Sequence, residues 1–349
     1  MINLKKKNVL ICINELYPNS IGISLINLLN MLDYTMYNVD LIYVESQVQV
    51  INQIPRNVNV IESPFDVNKL TFFKKLKFFH KYDLSIMYDA GNPKLSDLVI
   101  FASKKSYLYL HKNYRDIYVV ESKYNEFVLE NHFFKFKGYL FSNEQLLNNF
   151  QKLHSDIDKR LEVLEYLVDE KHILTLSKSN ISIDRPDRCT LLVSMGSIND
   201  RAKNYILMVK MMSNLIKLNN HVRLWIIGDG PDLINLRMLV SKYNLNEYIT
   251  LFGFKNNPYP YLSLGDYYLN TSDTFDSSTS LIEARVLQKP IISTKVDTLN
   301  NNTYIVSSDP NKIANEVNDI ILKKIIYNGN NNFWAENQKI LNKFSNLFR

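Results

Sequence analysis

Short β-branched runs alternate with longer stretches of helical period along this 349-residue chain, and the plan runs through twice. Such alternation marks parallel α/β architecture, in which helices cover the faces of a sheet. In the first half, strands are expected at 8–14 (NVLICIN), 39–45, 58–63, 83–88, 106–111 and 138–142, with an amphipathic helix at 24–33 between the first two. In the second half, strands are expected at 189–196 (CTLLVSMG), 222–230 (VRLWIIGDG), 249–254, 266–272, 290–294 and 302–308. Helices fall among them at 203–218, 232–245, 279–288 and 310–325. Residues 175–188 (TLSKSNISIDRPDR) are polar and lack a usable period, which reads as an interdomain connection. The length also favours two domains over one core. The expected division is 1–174, a linker at 175–188, 189–330, and a tail from 331 to 349. That tail carries Phe333, Trp334, Ile340, Leu341, Phe344 and Leu347, so it needs a surface to dock on.

Composition narrows the function classes. Hydrophobic residues at 46% and charged residues at 22% are ordinary for soluble globular protein. The formal charge of +6 suits phosphates or an anionic membrane surface and is too small to argue for nucleic acid. Cys12 and Cys189 lie in strand-like runs, as reduced core thiols of a cytosolic protein do. No uninterrupted apolar run of about 18 residues occurs, so no membrane span is expected. The opening MINLKKKNVLICIN reads as a first strand rather than a signal peptide, because asparagine interrupts it and no small-residue cleavage site follows.

In open parallel sheets ligands sit beyond the carboxyl ends of strands, so residues that follow strands come first. After the strand at 189–196, Gly196 allows close approach of backbone to a ligand, and the loop feeds a helix whose free N–H groups favour an anion. Arg201 and Lys203 stand at that helix start, where positive side chains oppose the helix dipole unless an anion lies between. A bound phosphate explains them; so does a solvated basic turn. No G-x-x-x-x-G-K-[ST] and no G-x-G-x-x-G motif is present. Further on, Ser277, Ser278, Thr279 and Ser280 precede an apolar helical run that carries Glu283 one turn in. Helix capping accounts for the hydroxyls. A carboxylate there also suits a ribose diol beside a bound diphosphate.

The order and spacing of these motifs carry a resemblance. SMGSINDRAKNYILMVKMM, VRLWIIGDGP and SLIEARVLQKPIIST together resemble the C-terminal domain of the group 1 (family 4) glycosyltransferases, retaining sugar transferases of GT-B fold. The resemblance is strong over 189–325 and weaker over 1–175. It implies two facing Rossmann-like domains, with the last helix crossing back onto the N-terminal one. It further implies a nucleotide-sugar donor held between the domains without a required metal, UDP-sugar being the guess from family frequency. Arg201 and Lys203 match the basic pair that stabilises the departing diphosphate. Glu283 matches the second glutamate of the family's E-x7-E pair, associated with the ribose. Amides around Thr279 and Ser280 would reach the phosphates, and Gly253, Phe254 and Lys255 stand where such enzymes hold the base. Gly22 would lie near the donor diphosphate or acceptor. His111 falls where many members carry an active-site histidine, although a histidine at a strand end also serves as a hydrogen-bonded structural residue.

The first glutamate of the pair is missing: eight positions before Glu283 stands Phe275. Asp276 is one residue off and Asp273 two, so either is a replacement for contacts to the donor sugar. As a metal site, this single D-x-x-D pair lacks a histidine or further carboxylate. The loss implies either an active enzyme with an altered sugar pocket or a degenerate subunit that stabilises a partner transferase. Finally, residues 68–83 (NKLTFFKKLKFFHKYD) set Phe72, Phe73, Phe78 and Phe79 among Lys74, Lys75 and Lys77. Such a helix either lies on an anionic bilayer or packs its rings on the sheet. The expected setting is cytoplasmic, with contact to the inner face of the plasma membrane. The expected acceptor is a glycan or lipid-linked glycan of bacterial surface polysaccharide, and homo- or hetero-oligomers stay open.

Overall fold

A computed structural model describes residues 5–61, 76–118, 120–199, 203–272, 279–294, 302–329 and 331–349. It divides into unit 1, Met1–Leu167 with Trp334–Arg349, and unit 2, Val168–Phe333. Unit 1 is built on β1 (Lys7–Leu16), β2 (Tyr37–Ser46), β3 (Val58–Val60), β4 (Leu84–Tyr88), β5 (Ser106–Leu110), β6 (Gly138–Phe141) and β7 (Arg160–Val163). They pair in the order β3-β2-β1-β4-β5-β6-β7, every neighbour parallel. Every residue of β4, β5 and β6 is buried, as expected of a parallel sheet covered on both faces. One face packs Leu10, Cys12, Met87, Leu108 and Tyr139 against Leu95, Leu98, Val99 and Ala102 of the helix Pro93–Ala102. Burial there pushes the Cys12 thiol far up, so it stays a protonated core side chain.

Unit 2 contains β8 (Thr190–Met195), β9 (Val222–Ile227), β10 (Ile249–Leu251), β11 (Tyr267–Asn270), β12 (Ile291–Ser293) and β13 (Thr303–Ile305). Their order is β10-β9-β8-β11-β12-β13, again all parallel. The helix Tyr205–Leu218 buries Leu207, Met208, Met211, Met212 and Leu215, and packs beside the helix Pro310–Leu322 with its Ile313, Val317 and Ile321. Asp309 caps the latter through the N–H groups of Asn311 and Lys312. In each sheet the strand order reverses at one place, β1 beside β4 and β8 beside β11. In open parallel sheets such a reversal is where ligand crevices form, beyond the carboxyl ends of the strands.

The final helix, Phe333–Asn346, buries Phe344, and Leu347 follows it into the same core. Tyr37 meets Phe344 edge-on at 5.7 Å and stacks on Phe348 at 5.4 Å, while Lys343 reaches Glu165 at 2.9 Å. These contacts lie within unit 1. The contact division falls after Leu167 rather than at 174, because the helix Glu170–Leu176 packs against the helices Tyr259–Leu264 and Thr279–Val286 of unit 2. The stretch read as a linker is also tied down: Arg185 bonds Asp266 at 2.6 Å. Strand β7 and the helices Pro93–Ala102, Glu121–Glu130 and Glu144–Leu153 are absent from the sequence reading. Among the described residues, no helix is long and apolar enough to cross a membrane.

Candidate functional site

Unit 2 collects polar side chains at the carboxyl ends of β8 and β11. Backbone bonds extend the sheet past its strands: Gly196 N–H donates to Ile227 at 3.0 Å, Ile198 N–H to Asp229 at 2.9 Å, and Gly228 N–H to Gly253 at 3.0 Å. Gly228 has φ +147°, and a Cβ placed on it would lie 1.9 Å from the Gly196 carbonyl oxygen. Only glycine lets the loops after β8 and β9 touch in this way. Gly196 shares that φ, and the Lys203 side chain lies across it; a Cβ at 196 would stand 3.1 Å from Lys203 Cε and 3.7 Å from Nζ. An ammonium is thus held over bare backbone at the end of β8. Asn204, in the left-handed region at φ +49°, caps the helix Tyr205–Leu218 by accepting from Leu207 N–H. The Thr271 hydroxyl, just past β11, bonds the carbonyl oxygens of Lys203 and Asn204 at 2.9 and 3.0 Å.

The helix Thr279–Val286 begins beside this loop. Its first turn is tied to the β8 end by Tyr268, whose hydroxyl donates to Met195 O at 3.0 Å and lies 2.8 Å from Ser280 Oγ. Thr279 and Ser280 are both buried. Glu283 is 8% exposed, and its Oε1 accepts from the Tyr259 hydroxyl at 3.1 Å. Burial pushes the Glu283 carboxyl up to about 7, against the opposing pull of the Tyr259 hydrogen bond and the Lys203 charge. The Tyr259 phenol is in turn held far above its ordinary value, by burial first and then by Glu283. A carboxyl poised near neutrality ionises fully when ligand hydroxyls donate to it. An ammonium beside it favours an oxyanion. The cluster therefore suits a ligand that presents a diol and a phosphate together.

The remaining donor candidates lie at the end of β10. Gly253 has φ +68° with open space where a Cβ would be, and Phe254 is 40% exposed. Lys255 Nζ stands 5.9 Å from the Phe252 ring centroid and 5.7 Å from that of Tyr261. Arg201, Asp273, Phe275 and Asp276 lie outside the described residues.

Unit 1 carries its own candidates. His111, directly after β5, is 2% exposed. Its Nδ1 is 2.9 Å from the Tyr166 hydroxyl, and its ring sits 4.0 Å from Tyr109 and 4.8 Å from Tyr88. Nε2 is buried with no hydrogen-bond partner among the described residues. Burial, with the Lys112 charge second, holds the imidazole well below its ordinary value, so it is neutral. Gly22 is buried in the first turn of the helix Ser20–Met31, where a Cβ would fall 1.9 Å from Tyr17 O. That helix connects to the histidine cage through Ser24 Oγ, 3.1 Å from the Tyr88 hydroxyl.

Of the segment read as a bilayer contact, Phe72, Phe73, Lys74 and Lys75 lie outside the described residues, and Lys77 is exposed. Phe78 is half-buried, packing one side against the unit 1 core and stacking on Tyr82 at 6.4 Å. Sequence reasoning passed over Tyr259, Tyr268 and Thr271. Thr271 follows a strand directly and was open to the same rule that found Gly196. Tyr259 is 24 residues from Glu283 and carried no local signal.

Residues 189–323 match the family model described as glycosyl transferases group 1. The chain is 27% identical, over 151 residues, to the N-acetylgalactosamine-N,N'-diacetylbacillosaminyl-diphospho-undecaprenol 4-alpha-N-acetylgalactosaminyltransferase of Campylobacter jejuni; the match takes in 43% of this chain and 38% of that protein. The chain spans less than half the length of the curated relatives it matches. Among solved structures, TarM superposes with a TM-score of 0.74 at 12% identity, covering 100% of both chains. Anabaena HepE, solved with UDP and glucose, superposes with a TM-score of 0.71 at 14% identity, covering 97% of this chain and 99% of that one. The fold shared with these proteins is GT-B.

Proposed function

We propose that this chain, which shares the GT-B fold and matches the group 1 glycosyltransferase model over residues 189–323, transfers a hexose, with retention, from a nucleotide-sugar donor to a glycan or lipid-linked acceptor of bacterial surface polysaccharide. The observation that carries this reading is the Lys203 side chain laid over Gly196 at the end of β8, with the buried Glu283 carboxyl in the first turns of the helix after β11. Glu283 takes the ribose diol, and Lys203 with Arg201 neutralises the leaving diphosphate where a divalent ion serves other transferases. Charge fixed in place before the reaction needs no reorganisation as the bond breaks. Amides around Thr279 and Ser280 face the phosphates, and Phe254 and Lys255 flank the base. The named activity of the Campylobacter relative, on a diphospho-undecaprenol-linked sugar, supports a lipid-linked acceptor. Peripheral contact with the inner membrane face remains part of the proposal.

A second reading rests on Phe275, which stands where the family pair has its first glutamate. It makes the chain a degenerate subunit that keeps the nucleotide site and stabilises a partner transferase. A thermal-shift panel of UDP, GDP, CMP and their sugars decides between them. Stabilisation by a nucleotide together with slow donor hydrolysis supports the enzyme. Stabilisation without turnover on any acceptor supports the subunit, and no stabilisation by any member defeats both. If the enzyme is active, Phe275→Ala changes sugar preference more than nucleotide affinity.

A further inference from the structure

We infer that Tyr259 is a positioning residue for the ribose of the donor: its phenol holds Oε1 of Glu283 and so presents Oε2 to the sugar hydroxyls. The inference rests on the nucleotide-binding reading above and goes beyond it by assigning the orientation of the carboxylate to a second side chain. Tyr259 opens the helix Tyr259–Leu264, which precedes β11, whereas Glu283 lies in the helix that follows β11. The bond between them, 3.1 Å long, therefore joins two elements on either side of the strand that borders the crevice. A carboxylate on a flexible two-carbon stem has several rotamers to lose on binding a diol. A buried donor that already occupies one oxygen removes that freedom before the ligand arrives, which is pre-organisation.

The surroundings are consistent with a single fixed carboxylate. Lys203 faces Glu283 from the loop after β8, and Tyr268 faces it from β11 through Ser280. Asp169 acts on Tyr259 from the start of the helix Glu170–Leu176, which packs on both helices and bears Glu170, Lys171 and His172. Among the described residues, Tyr259 is the side chain that hydrogen-bonds Glu283, so the phenol is the contact that sets its rotamer. Because diol binding draws the carboxyl into its charged form, nucleotide uptake releases a proton near neutral pH. The phenol, by stabilising the same charged form, brings that release down toward neutrality.

The test compares UDP with 2′-deoxy-UDP by titration calorimetry on the wild-type protein and on Tyr259→Phe, across pH 6 to 9. Wild type should prefer the ribose compound by about tenfold, the value of one hydrogen bond to a charged group. Tyr259→Phe should lose most of that preference, and the pH at which its UDP affinity reaches half-maximum should rise. Its affinity for the deoxy compound should stay within about twofold. Equal ribose preference and an unchanged pH midpoint in Tyr259→Phe overturn the positioning role while leaving the nucleotide site standing. Failure of wild type to bind UDP at all, when the nucleotide panel is also blank, overturns the function reading instead. Should Tyr259→Phe fold poorly by circular dichroism, Tyr259→Leu takes its place with the same expected loss of ribose preference, and a preference equal to that of wild type refutes the inference.

Discussion

The two crevices of this molecule are built on the same scaffold and furnished oppositely. Each opens where a parallel sheet reverses its strand order, between β1 and β4 in unit 1 and between β8 and β11 in unit 2. The unit 2 crevice is walled by glycine backbone drawn into contact, with an ammonium and a buried carboxyl beside it. In unit 1 the walls are aromatic and amide side chains. Tyr88, Tyr109 and Tyr166 enclose a neutral histidine, and Asn92 bonds Asn14 across the switch point at 2.7 Å. Rigid backbone with fixed charge suits a ligand whose charged portion never varies, such as a nucleoside diphosphate. A wall of neutral side chains is retuned by substitution without disturbing the sheet, which suits a partner that differs among relatives. One architecture thus supports two binding strategies, and the difference lies in what the loops leave bare.

The sharpest way to break this comparison is to add one methyl group to each crevice. Gly228→Ala drives a Cβ to 1.9 Å from the Gly196 carbonyl, where neither backbone can retreat. It should destabilise unit 2 by about 3 kcal/mol and lower its melting step by roughly 10 °C in calorimetry. Gly91→Ala in unit 1, at φ +123° with nothing within 4 Å, meets backbone strain alone and should cost about 1 kcal/mol. Equal costs would show that the two loops are equally tight.

A second experiment separates the ligands. Lys203→Ala should weaken nucleotide binding about 100-fold, or about 2.7 kcal/mol, in calorimetry. His111→Gln should lower turnover about tenfold and leave nucleotide affinity within about threefold. A loss of nucleotide affinity in His111→Gln that rivals that of Lys203→Ala would remove the division of labour.

Acid should act on the two units in opposite directions. His111 and His154 are held neutral by burial, so below the unfolded value of 6.5 only the unfolded chain takes up their protons, and unit 1 loses stability as pH falls. Glu283 keeps its proton up to about 7 in the folded state but only to 4.5 when unfolded. Its burial cost is therefore relieved as pH falls from about 7 toward 4.5, and unit 2 gains. Each group changes stability by at most about 1.4 kcal/mol per pH unit. Calorimetric scans at pH 7.5, 6.0 and 5.0 should show the two melting steps moving in opposite directions, and parallel drift would contradict the assignments.

Much of the scaffold was legible in the residue pattern, and the reasons are local. β-branched runs such as NVLICIN and VRLWII announce largely buried strands, and Gly196 and Gly228 follow theirs directly. Strand β7, Arg160–Val163, escaped notice because it is a short edge strand with only Val163 fully buried. The helix Glu144–Leu153 escaped because Leu146 and Phe150 are its sole buried residues, too few to establish a period. Glu283 and Lys203 were found through motif spacing, whereas the phenol that orients Glu283 was not. A contact between side chains 24 positions apart is created by the turn of the chain around β11, and no window on the sequence contains it.

The last helix has a consequence for how the protein is made. Residues from Trp334 onward belong to unit 1, so unit 2 is an insertion between two parts of its neighbour. The seven-stranded sheet is synthesised before unit 2, yet the aromatic seat around Tyr37 is filled by residues that follow unit 2. Unit 1 is therefore completed only after unit 2 has been made, and during translation its apolar seam waits open for the length of an entire domain.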